Sequence, residues 1–184
     1  MIMKGTYFLL GINFLFFIIF NVILGSFVCG DIPWRMFCIK SEYLFQFAQV
    51  NQLIFEGKNL YQLITKMFVH IAILHFLLNM FSLWFFATRL EKISSSTFLV
   101  VVFLLSGFST SITNLLLGTI ISAGASGAIF GIATVFTILN WNEKNTKLFF
   151  IAFLIFIHSP ALLGSSTVSY THLRAHETRE DLGC

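Results

Sequence analysis

Charge is what this chain has least of. Only 10% of its 184 residues are Asp, Glu, Lys or Arg, against roughly 25% in ordinary globular proteins. With 57% hydrophobic residues, a soluble domain of this length would need a larger interior than it can enclose. The deficit excludes a soluble protein and predicts an all-α, polytopic membrane helix bundle. A net charge of +3, scattered along the chain, is too weak to suggest a nucleic-acid partner. Metal-ligand spacing is missing as well, since Cys29, Cys38 and Cys184 stand in no such pattern. Cys29 and Cys38 flank the end of the first apolar run and can pair in an oxidising compartment, although two free thiols are the expectation.

Long apolar runs are what the chain does have. Residues 6–29 are long enough to span, since about 20 residues cross the hydrocarbon. The run lacks a small-residue cleavage site near Cys29, which predicts a retained first helix rather than a signal peptide. Residues 30–61 mix charge with apolar side chains, and 44–55 are expected to lie along the interface. Four more stretches follow with short connections, at 67–88, 98–119, 121–141 and 148–164. Placing the N-terminus in the cytoplasm puts Lys4, Arg89, Lys92, Lys144 and Lys147 inside and Arg35, Lys40, Lys58 and Lys66 outside. Spans two and four then run in the same direction, and their polar residues start at similar depth in the outer half of the bilayer.

Those polar residues are the candidate chemistry, because polar groups at membrane depth are costly and usually functional. Gly124-Ala125-Ser126-Gly127 presents a serine on a small-residue turn. Its backbone N–H groups, near a helix start, can form an oxyanion hole. Serine still needs a general base to become a nucleophile. On this turn alone, helix packing through Ser126, Gly127 and Gly131 is the favoured reading. His75 and Asn79 are four apart and share a helical face, where both can donate hydrogen bonds. An interhelical hydrogen-bond cluster without catalysis is the alternative. His70 falls off that face and suits a role in holding the first loop or the helix start. No carboxylate or cysteine completes a metal ligand set, so no metal and no cofactor is expected.

The run from His70 through His75 to Asn79 and Met80, followed by Gly124-Ala125-Ser126-Gly127-Ala128-Ile129-Phe130-Gly131, resembles the rhomboid family of intramembrane serine proteases. The resemblance covers about residues 61–141. It implies a core of six helices, of which five are present, with residues 61–164 carrying helices two to five. Residues 1–60 would supply the first helix and the long outer loop. It implies Ser126 as nucleophile, and the Ser126 N–H, His75 and Asn79 as oxyanion donors. Gly124 would belong to the active-site turn, with His70, Gly127 and Gly131 supporting it. Transmembrane segments of other proteins, within the lipid bilayer, would be the substrates. Glu91 matches an acidic residue common after the family's second helix.

Two departures stand out. The family's Trp-Arg pair in the first loop is replaced here by Tyr61-Gln62. More seriously, the general base implied by the family is a histidine on a sixth helix, and no sixth apolar span exists. His158, at the end of the fifth span, is the one candidate at plausible depth; His172 and His176 stand among charged residues. Residues 165–184 contain no Phe and no Lys, although the chain has 24 Phe. This tail resembles translated cloning sequence and is expected to be artefactual or disordered. The expectation is therefore a serine endopeptidase using a Ser-His dyad, inactive as this chain. Its alternative is a rhomboid-like protein that binds membrane helices without cleaving them; a small transporter ranks below both. The expected location is a cell membrane, and the Phe, Ile, Asn and Lys usage points to a bacterial source.

Overall fold

The computed structural model describes residues 3–28, 36–118, 121–143, 145–148 and 150–154. The chain forms two compact units, residues 1–140 and 141–184. Among the described residues three helices are long and apolar enough to cross a membrane: Lys4–Ile23, Ile73–Ile93 and Ser96–Leu116. The all-α, multi-pass reading holds.

The first span starts as α1 (Lys4–Phe17) and continues as a wider π-helical stretch, Ile18–Ile23. The outer loop then makes a two-stranded ladder, β1 (Ser26–Val28) antiparallel to β2 (Met36–Cys38). Cys38 is disulfide-bonded, which corrects the expectation of a free thiol there; its partner lies outside the described residues. Short helices α2 (Ser41–Phe47), α3 (Asn51–Phe55) and α4 (Gln62–Thr65) complete the loop, ending in a tight turn, Lys66–Phe68. Between α2 and α3, β3 (Gln49–Val50) pairs with β4 (Ile121–Ser122), in the register Gln49↔Ser122 and Val50↔Ile121. This pairing lays the first loop directly on the segment that precedes Ser126. Apolar packing reinforces it, as Ile39, Leu44, Ala48 and Val69 form a buried cluster against Ile121 and Ala123.

Helices α5 (Ile73–Ile93) and α6 (Ser96–Leu116) are joined by a tight turn. Ser95 caps α6 by accepting from Phe98 N at 3.2 Å. The Glu91 carboxylate, 1% exposed, ties that turn to the start of α1. It accepts from Gly5 N (2.8 Å), Thr6 N (2.9 Å), Thr6 Oγ1 (2.6 Å) and Ser96 Oγ (2.5 Å). A carboxylate borrowed from another helix thus satisfies N–H groups that the first turn of α1 cannot pair internally.

The fourth predicted span is shorter than its apolar run. Helix α7 covers Ser126–Leu139, 14 residues, or about 21 Å at 1.5 Å per residue. Residues 121–125 are strand and turn instead, because Gly124 adopts φ +114°, a conformation that breaks a helix and suits glycine. Non-helical backbone is tolerated at membrane depth where protein covers it, and the first loop supplies that cover. The predicted fifth span is represented by an apolar helix, Asn145–Leu154, in the second unit. His158, Gly164 and the tail lie outside the described residues.

Candidate active site

The two motifs singled out in the sequence meet at Gly124. A Cβ placed there would fall 2.7 Å from His75 Cε1 and 2.8 Å from His75 Nε2. The imidazole therefore rests against bare backbone, which no side chain at 124 would permit. His75 lies in the first turn of α5 and Ser126 is the first residue of α7. The first N–H groups of a helix have no intrahelical acceptor and carry the positive end of its dipole. Ile129 N is the first to close on the turn, reaching Ala125 O at 2.9 Å. Ser126 is half-buried. Ser126 thus follows two residues after the glycine against which the imidazole rests.

Asn79 stands one turn below His75 on the same face of α5 and is buried. Its amide Nδ2 donates to His75 O at 2.8 Å, and one of its two amide hydrogens remains for another acceptor. Among the described residues, Gly127 and Gly131 face α6. A Cβ on Gly127 would come within 2.7 Å of Thr110 Cγ2, and one on Gly131 would collide with Ser106. The glycines let the α7 backbone pack against the Thr110 and Ser106 side chains of α6, as small residues at membrane helix interfaces do. The packing reading of these two positions and the catalytic reading of Ser126 are compatible on one helix.

His70 lies three residues ahead of α5, fully buried, with its ring 5.4 Å from that of His75 and 5.3 Å from that of Phe76. Phe76 in turn stacks on Phe17 of α1 at 4.1 Å. The His70 carbonyl accepts from Asn21 Nδ2 at 2.8 Å, and the same amide reaches Phe37 O at 2.9 Å. Asn21 sits in the π-helical stretch and is 1% exposed. It fastens the first span to β2 and to the approach of α5. Sequence reading missed it, although a lone asparagine in an apolar run was the available signal.

Gln62 and Lys66 were also missed. Gln62, in place of the family's arginine, is fully buried. Its Nε2 donates to Phe45 O (2.7 Å) and Gln46 O (3.1 Å), and its Oε1 accepts from Val50 N (2.9 Å). At position 62 the loop is held by a neutral side chain. Lys66 is 3% exposed; its carbonyl accepts from Gly124 N at 2.8 Å and its Nζ reaches Ser122 Oγ at 3.4 Å. Burial pulls the Lys66 ammonium down to about 8 from the usual 10.5. Ser122 Oγ also accepts from Asn114 Nδ2 at 2.9 Å. Together these contacts pin the strand and turn on which Ser126 follows. Among the described residues no group of three His, Cys, Asp or Glu side chains can hold a metal ion.

A half-buried serine at the start of α7 thus follows two residues after the glycine against which the His75 imidazole rests, inside a multi-pass helix bundle. The Rhomboid domain family matches residues 57–176, and the chain belongs to the rhomboid family. It is similar to RHOMBOID-like protein 6, mitochondrial, of Arabidopsis thaliana, with 35% identity over 106 residues, 55% of this chain and 34% of that protein. It is also similar to Rhomboid protease GluP of Bacillus subtilis (strain 168), with 37% identity over 84 residues, 46% of this chain and 16% of that protein. A third relative, RHOMBOID-like protein 2 of Arabidopsis thaliana, is 36% identical over 101 residues, 53% of this chain and 32% of that protein. The chain thus spans about a third or less of these relatives. No solved structure matches.

Proposed function

We propose that the gene product represented by this chain is an intramembrane serine endopeptidase that cleaves transmembrane segments of other membrane proteins. The observation that carries this reading is the contact of the His75 imidazole with the Gly124 backbone, two residues ahead of Ser126. Ser126 Oγ attacks the scissile carbonyl as a general base removes its proton. The Ser126 N–H, His75 and Asn79 donate to the oxyanion that forms. As that intermediate collapses, the base passes the proton to the leaving amine, and it then takes one from the water that hydrolyses the acyl-enzyme. No metal and no cofactor takes part.

The general base is the part not assigned. His158, His172 and His176 all fall within the stretch matched to the family, and all lie outside the described residues. The family resemblance gives this role to a histidine on a helix that follows α7 in the chain. A form without that base would lose most of its rate, by about 10⁴-fold or more. For topology, we place the N-terminus in the cytoplasm of a bacterial cell. The disulfide-bonded Cys38 supports an oxidising outer face for the first loop.

The test is twofold. Sequencing the genomic locus past the Gly164 codon should reveal a further apolar stretch containing Ala-His and spaced glycines. The protein it encodes should cleave a transmembrane reporter and take up a fluorophosphonate at Ser126, with Ser126→Ala silent in both assays. A locus that encodes residues 165–184 and stops would instead favour a helix-binding rhomboid-like protein without proteolysis.

A further inference from the structure

A buried imidazole, His70, meets the half-buried ring of His75 where the first loop hands over to α5, and each carries a buried ring nitrogen without a partner. His70 Nδ1 lies 3.3 Å from Phe68 O. A carbonyl only accepts, so Nδ1 carries the hydrogen and His70 Nε2 presents a lone pair. That Nε2 is buried and has no hydrogen-bond partner among the described residues; the same is true of His75 Nδ1. The two rings stand 5.4 Å apart at 58°, tilted so that neither nitrogen serves the other. Buried polar atoms are paired in the great majority of cases, commonly through an internal water that bridges several of them.

We propose that His70 and His75 share an internal water site, and that this water makes His70 a positioning residue for the His75 side chain. The water donates one hydrogen to His70 Nε2 and the other to His75 Nδ1. His75 is then held with its hydrogen on Nε2, the atom that lies against Gly124. The opposite tautomer would turn a lone pair toward that turn and repel a developing oxyanion. A divalent ion is the weaker occupant, because two imidazoles are the whole donor set and no third His, Cys, Asp or Glu joins them among the described residues. The catalytic meaning of the tautomer rests on the protease reading above, whereas the water site does not.

Nuclear magnetic resonance on the full chain in detergent micelles, with ring-¹⁵N histidine, tests this directly. His75 signals are assigned by their loss in His75→Asn. In the unmodified chain His75 is expected as the Nε2–H form, with a cross-peak from water protons to Nδ1. His70→Phe keeps an aromatic ring beside Phe76 and removes the lone pair; it should lose the water cross-peak and mix the His75 tautomers. His70→Gln restores an acceptor and should recover the Nε2–H form. A His75 that carries its hydrogen on Nδ1, or that shows no water contact, overturns the proposal in the unmodified chain, whatever the fate of the variants. An unchanged His75 tautomer in folded His70→Phe overturns it equally. Should the water site stand while Ser126→Ala leaves the native gene product's cleavage intact, the protease reading fails and the water site survives.

Discussion

At the scale of single residues, the site depends on side chains that are missing as much as on those present. Gly124 combines a φ of +114° with a Cβ position 2.7 Å from His75 Cε1. Gly124→Ala therefore strains the backbone, by about 1–3 kcal/mol, and pushes the imidazole aside. Misplacing a catalytic group by about 1 Å can cost on the order of 100-fold in rate. We expect that loss in reporter cleavage by the native gene product, alongside a modest fall in thermal stability; unaltered cleavage would remove His75 from the oxyanion site. Lys66 carries a pH signature. Its ammonium is held near 8 when folded against the usual 10.5, so between those values the unfolded chain binds more protons. Stability then rises with pH. Below about pH 8, burying the charged form opposes folding, and that penalty is relieved as pH climbs through 8 toward 10.5. Denaturation in detergent at pH 7 and pH 10 should show the gain in the wild type and little of it in Lys66→Met. Equal slopes in both would mean that Lys66 keeps ordinary access to water.

At the scale of elements, helices hold one another through buried polar contacts that apolar packing in lipid cannot replace. Glu91 is the clearest instance, with four donors from α1 and the start of α6 converging on its carboxylate. Glu91→Ala strands them all. Hydrogen bonds to a charged group contribute about 1.5–3 kcal/mol each and do not add fully, so a loss of about 3 kcal/mol or more is expected. Glu91→Gln should fall between, since an amide offers one acceptor oxygen rather than two. Unfolding in mixed detergent micelles measures the series, and a neutral Glu91→Ala would show that α1 docks without this cap. The spans themselves were legible because an uninterrupted apolar run has one physical reading in water. Their ends were less so: α7 begins at Ser126 and not at 121, because one glycine conformation and a two-residue ladder interrupt an apolar run that shows no break in hydropathy. Pairing of Gln49 with Ser122 leaves no periodic trace in so short a strand. Asn21, Gln62 and Lys66 were visible as polar residues in apolar surroundings, but which carbonyl each would meet depends on tertiary contacts absent from the local pattern.

At the scale of the whole molecule, the described residues supply, on the proposed reading, the nucleophile and oxyanion half of a hydrolytic site and the contacts that hold it. The first loop, pinned by β3–β4 and by Gln62 and Lys66, covers the turn before the nucleophile. Glu91 ties the start of the first span to α5, which carries His75 and Asn79, and Asn21 ties its other end to the residues just ahead of α5. Such a scaffold lets non-helical backbone exist at depth and orients donors toward one spot, but orientation alone does not remove the serine proton. Loss of a base partner in a serine hydrolase leaves only the residual acceleration from oxyanion donors and binding. A graded outcome follows for two forms of the protein. The native gene product should cleave a transmembrane reporter, and the chain ending at residue 184 should be slower by about 10⁴-fold or more. Both should still bind the reporter segment if the first five helices build the binding surface. Co-purification of the uncleaved reporter with the shorter form, set beside cleavage by the longer one, separates these contributions. Comparable cleavage by both forms would place the base within this chain, and His158→Ala and His176→Ala would then say which histidine serves.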